Sequence, residues 1–154
     1  MIFLTRSEAD TMKFAAALAN MLDAGDTVLL EGDLGTGKSV MARGVARALG
    51  IAGAMPSPTF TLLIPYEGTK KLYHFDLYRL ADPDEFYAAG LDEFVGGDGI
   101  ALVEWPQMAE LEPEPALKLN LRRGEGDDDR LIEIENDGVA GFDAGALVEW
   151  RVDK

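Results

Sequence analysis

The chain has 154 residues, with 14 Lys and Arg against 28 Asp and Glu and no cysteine, for a formal net charge of −14. That length suffices for one domain with a sizeable core, residues 1–154, and the missing cysteines exclude disulfides and thiolate metal sites. The acidity argues against direct high-affinity binding of this chain to a nucleic-acid backbone, and no run of 18 or more apolar residues offers a membrane span. The opening "MIFLTRSEAD" lacks the basic and long apolar regions of a secretory leader, so a cytoplasmic protein is expected.

Residues 2–5 read as a short edge strand. Ser7 and Asp10 then make a helix-start pattern resembling a capping box. Phe14, Ala15, Leu18, Met21 and Leu22 follow at amphipathic-helix spacing, which predicts a helix ended by Gly25. "TVLL" at 27–30 reads as a buried strand, and a second helix is predicted from Lys38 to Leu49, with Val40, Met41, Val45 and Leu49 on its apolar face. "PSPTF" at 56–60 cannot sit inside a helix and predicts an extended loop. Strands are expected at 61–66 and 71–77, joined by a turn at Gly68. Asp82, Pro83 and Glu85 open a short helix closed by Gly90, and "GGDG" at 96–99 is a turn. A buried strand over 100–103 ends at Glu104. Residues 116–122 and 130–136 alternate as a hairpin around "GEGDDD", and a last strand is expected within 147–152.

Between the first buried strand and the second helix lies "EGDLGTGKS". Gly32, Gly37, Lys38 and Ser39 satisfy the phosphate-loop pattern, with Asp33, Leu34, Gly35 and Thr36 as the intervening residues. A polyphosphate needs several backbone N–H groups converging on it, and glycines let the backbone approach without a Cβ in the way. The helix beginning at Lys38 adds unpaired amides and the positive end of its dipole. Lys38 would reach the β- and γ-phosphates, and Ser39 would offer its hydroxyl to Mg²⁺. The architecture that follows is α/β: a three-layer P-loop NTPase domain with a mixed, mostly parallel central sheet and antiparallel strands toward the C-terminus.

Such a loop works with an acidic residue on a neighbouring strand end. Asp76 ends "LYHFD" and Glu104 ends "IALVE", and both are candidates, Glu104 having the more continuous apolar run. The single histidine, His74, sits in the opposite alternation phase to Tyr73 and Phe75 and reads as structural. Thr59 is either a γ-phosphate sensor or a plain turn residue. Trp105 either packs near the nucleotide or covers the sheet end. Arg79, Arg122, Arg123 and Arg130 are candidate phosphate or partner contacts. No Asn/Thr-Lys-x-Asp guanine string is present, which favours ATP.

"GDLGTGKS", "SPTFTL", "HFDLYRL" and "LVEWP", in that order, resemble the bacterial TsaE family of tRNA threonylcarbamoyladenosine biosynthesis. The resemblance covers residues 5 to 107 and, weakly, the following hairpin. It implies a small ATPase with weak intrinsic turnover that serves a complex of TsaD and TsaB, the transfer chemistry belonging to the partner. It also implies Ser39 and Glu104 as Mg²⁺ ligands, Asp76 as a second functional acid and Arg130 as a nucleotide contact. The family's usual threonine is Ser39 here, which keeps the hydroxyl. An acidic chain that does not itself grip tRNA suits a basic groove on a partner protein.

Two other classes share the loop. A small-molecule kinase would carry an arginine-bearing lid, and the 66–71 turn is too short for one. A nucleotide-gated binding module would bind ATP without turnover and tolerate loss of Asp76.

Overall fold

The computed structural model describes residues 1–53, 55–56, 58, 61–113 and 115–153. Among these, seven strands form one sheet: β1 (Ile2–Thr5), β2 (Thr27–Glu31), β3 (Leu63–Glu67), β4 (Lys71–Asp76), β5 (Ile100–Glu104), β6 (Ala116–Arg123) and β7 (Arg130–Asp137), in the order β1-β7-β6-β2-β5-β4-β3. The four central strands β6, β2, β5 and β4 run parallel. The flanks are antiparallel, with β3 on β4 at one side and the β6–β7 hairpin plus β1 at the other. The expected mixed sheet is present, and its antiparallel pairing lies at both flanks rather than only toward the C-terminus.

The period of two along the central strands divides the core. Val28, Leu30, Leu72, Ile100 and Leu102 face helices α1 (Glu8–Ala19) and α2 (Lys38–Ala48), whereas Leu29, Tyr73, Phe75, Ala101 and Val103 pack on the opposite layer. That second layer includes α3 (Pro83–Ala88) and short 3-10 turns at Leu91–Phe94 and Pro106–Ala109. The result is three layers, with the ends of the parallel strands opening on one edge.

Local chemistry sets the helix starts. Ser7 Oγ accepts from the Asp10 amide at 3.0 Å, and the Asp10 carboxylate reaches back to the Arg6 amide at 3.0 Å, one residue earlier than in a standard capping box. Asp82 accepts from the Asp84 amide at 2.8 Å, with Pro83 at the first helical position as expected.

Two expectations are corrected. Helix α1 ends at Ala19, not Gly25: Met21 and Leu22 stay buried, but their amides bond back to Leu18 and Ala19 in a tighter turn. Gly25, at φ 95°, instead docks its amide on the Gly99 carbonyl. The segment expected as a last strand is a 3-10 turn, Ala144–Trp150, capped by Asp143, with one bridge from Arg151 to Phe3. Leu147 and Trp150, three residues apart, share a face of that turn and are buried in the α1-side core. Trp150 stacks edge-on against Phe14 at 5.4 Å and donates Nε1–H to Asp10 at 2.9 Å.

Helices α1 and α2 approach closely at Gly44, where an added Cβ would lie 2.6 Å from the Ala15 Cβ and 3.0 Å from the Met12 backbone. Gly44→Ala is expected to destabilise the fold by about 1–3 kcal/mol in chemical denaturation, overpacking outweighing alanine's helix propensity.

Candidate functional site

The phosphate-loop sequence occupies the turn between β2 and α2. Gly37 is the N-cap of α2 at φ 103°, a left-handed conformation that side-chain-bearing residues rarely adopt. Gly32 passes so close to β6 that a Cβ there would meet the Leu121 carbonyl oxygen at 2.5 Å. No side chain caps α2, unlike α1 and α3, so its first amides face the loop without a protein partner of that kind. The Thr36 hydroxyl is committed to the loop itself, donating to the Asp33 carbonyl at 2.7 Å.

Lys38 is buried and folded over this loop. Its Nζ donates to the carbonyl oxygens of Gly32 and Asp33, the latter at 2.8 Å, and lies 4.4 Å from the centroid of the Trp105 ring. Burial pushes the Lys38 ammonium below its ordinary pKa, while Glu104, Asp33 and Asp76 pull it the other way. Trp105 holds a left-handed backbone, φ 59° and ψ 48°, unusual for so large a side chain. Its ring also stacks on Tyr78 at 4.8 Å. Trp105 thus sits beside the loop lysine at the end of β5.

The parallel register of β4 and β5 sets Asp76 directly opposite Glu104. Both carboxylates are buried, at 7% and 5% exposure, and both line the same cavity of about 460 Å³ as Gly35, Gly37, Lys38 and Ser39. Asp76 Oδ1 accepts from the Tyr78 amide at 3.0 Å, which shapes the chain as it leaves β4. Glu104 Oε2 lies 2.7 Å from His74 Nε2.

Arg79 and Arg130 line this cavity as well. Arg130 donates to the carbonyls of Asp127 and Asp129 at 2.9 and 2.8 Å and reaches Gly35 O at 3.5 Å, tying the β6–β7 hairpin to the loop. Arg122 and Arg123 lie apart, lining a second cavity of about 390 Å³ with Asn120, Asp33 and Leu34. Thr59 lies outside the described residues.

Sequence reasoning did not single out Glu8 or Tyr78 as lining the cavity. Topology brings the start of α1 and the exit of β4 to the loop; Glu8 has no local motif, whereas Tyr78 lies within the "HFDLYRL" string. His74, two residues before Asp76, shares that residue's face of β4 and contacts Glu104.

A family profile described as "Threonylcarbamoyl adenosine biosynthesis protein TsaE" matches residues 5–132. The chain belongs to the TsaE family. It is 41% identical over 130 residues to the Bacillus subtilis tRNA threonylcarbamoyladenosine biosynthesis protein TsaE, covering 83% of this chain and 80% of that one. The Treponema pallidum TsaE is 39% identical over 120 residues, 77% and 89% of the two chains. The crystal structure of Bacillus subtilis YdiB superposes with a TM-score of 0.73 at 35% identity, covering 87% of this chain and 83% of that one. The TsaE match runs from the end of β1 into the first residues of β7, and so contains every residue discussed above as lining the main cavity. Among the described residues no helix is long and apolar enough to cross a membrane.

Proposed function

We propose that this TsaE-family chain binds ATP with Mg²⁺, hydrolyses it weakly on its own to ADP and phosphate, and thereby drives or resets a TsaD–TsaB complex in threonylcarbamoyl modification of tRNA adenosine. The observation that carries the reading is the convergence, in one cavity, of the glycine loop, Lys38 and the register-paired Asp76 and Glu104.

The residues present fit such a ligand. The left-handed Gly37 and the uncapped start of α2 suit the phosphates. Mg²⁺ in nucleotide sites takes one or two protein oxygens together with phosphates and waters, and the Ser39 hydroxyl and Glu104 carboxylate are donors of that kind. When bound, the cation neutralises charge on the β- and γ-phosphates. Lys38 exchanges its two carbonyl partners for phosphate oxygens, Asp76 orients the attacking water, and Arg130 contacts the nucleotide from the hairpin side. The segment at 76–79, at the exit of β4, orders on the nucleotide, and the ordered form is the one that docks on the partner.

Phosphate release from ATP, measured with and without purified TsaD and TsaB, tests the reading. Slow release alone and faster release with the partners is expected; no release in any combination contradicts it. Stoichiometric phosphoryl transfer to a small acceptor, well above the hydrolysis rate, would instead identify a kinase.

Trp105 supplies an independent check. In a Trp150→Phe chain, Trp105 is the sole tryptophan. Saturating ATP and Mg²⁺ is expected to change its emission, because the Lys38 ammonium that the phosphates would engage sits 4.4 Å from the ring centroid. Unchanged emission at a nucleotide concentration shown by calorimetry to saturate the site contradicts phosphate placement beside Lys38.

A further inference from the structure

His74, the chain's one histidine, is 4% exposed and points from the α2-side face of β4 to Glu104, with Nε2 and Oε2 2.7 Å apart. Its Nδ1 is buried without a hydrogen-bond partner among the described residues. A hydrogen on Nε2 would donate to the Glu104 oxygen and leave Nδ1 a lone pair rather than a stranded N–H, the arrangement with the fewest unsatisfied groups. Register explains the reach: His74 opposes Leu102 and Asp76 opposes Glu104, so His74 and Glu104 are diagonal neighbours on one face of adjacent parallel strands. Among the described residues, His74 is the only side chain that hydrogen-bonds Glu104.

We propose that His74 is the positioning residue of the cation site: it holds Oε2 of Glu104 and leaves Oε1 for the divalent cation or its water shell. The inference rests on the ATP·Mg²⁺ reading above. A carboxylate at the end of a strand has free rotation about its terminal bond, and one fixed donor selects which oxygen stays available. Groups behind a metal ligand act in this way, and their loss weakens metal affinity by roughly 10–100-fold. A histidine serving only to fill the core would not need its Nε2 aimed at the one strand-end carboxylate of β5.

The test uses the full chain and a readout independent of turnover, the Mn²⁺ affinity of the ATP complex by electron paramagnetic resonance. ATP affinity in EDTA and the thermal midpoint are measured alongside. His74→Gln keeps an amide nitrogen near the Nε2 position, whereas His74→Met has similar length and no donor. The methionine variant is expected to bind Mn²⁺ about tenfold or more weakly, with cation-free ATP affinity unchanged, and the glutamine variant to recover most of that loss. His74→Asn, whose amide falls one methylene short, should behave as methionine does, and it replaces that variant if methionine prevents folding. Wild-type Mn²⁺ affinity in the donor-less chains overturns the inference while leaving the ATP reading standing, and so does an equal loss in the glutamine chain. A wild-type chain that binds no Mn²⁺·ATP overturns both.

Discussion

A Lys38→Ala chain is expected to lose ATP turnover by about 10²–10³-fold, the usual effect of deleting one preorganised donor at a site of developing charge. The size follows from how the ammonium is held. Lys38 is buried, its pKa lowered by that burial, and its Nζ already sits at the loop mouth against the carbonyls of Gly32 and Asp33. Under the proposed function it needs only to change acceptors, so little reorganisation is required when phosphate arrives. Folding suffers far less. The loop carbonyls it leaves are half-exposed or exposed and can take water, so the loss is about 1 kcal/mol. Phosphate release and a thermal melt on the same sample check both halves. Near-wild-type turnover in a chain with an unchanged melt contradicts the role given to Lys38.

Glu104→Gln is the second large effect. The substitution preserves shape at a buried position while removing the charge that faces Lys38 and, under the proposed function, would face the cation. Turnover is expected to fall about 10²-fold, and the Mg²⁺ concentration for half-maximal rate to rise. Asp76→Asn separates the two acids. If Asp76 orients water while Glu104 holds the cation, the asparagine chain loses rate with its Mg²⁺ requirement close to wild type. A Mg²⁺ requirement that shifts equally in both variants assigns both carboxylates to the metal, and one that shifts in neither contradicts Glu104 as a ligand.

What the sequence disclosed and what it concealed follow from the range of the forces involved. The loop at 32–39 was legible because a backbone that turns inward at φ 103° leaves few choices but glycine. Asp76 and Glu104 were legible because each ends an apolar run at the ligand edge of a parallel sheet. Their direct opposition was not, since register between β4 and β5 is set by tertiary packing. The alternation phase of His74 against Tyr73 and Phe75, which face the other layer, was legible, but its contact with Glu104 was not. Comparison with Asp76, two residues on, places it on the loop face. The C-terminal turn was misread as a strand. Residues 147–152 are apolar enough for a strand, but the three-residue spacing of Leu147 and Trp150 suits a 3-10 turn laid against α1. Trp105's left-handed backbone had no sequence signal at all; the constraint comes from the strand end, where its amide bonds Leu30 O and its ring meets Lys38.

Isothermal titration of the purified chain with ATP in the presence of Mg²⁺ tests the central claim most directly. The account predicts saturable binding at one site per chain, greatly weakened in Lys38→Ala. Absence of binding heat for ATP or any other nucleoside triphosphate, at several temperatures and with a folded sample, would contradict it.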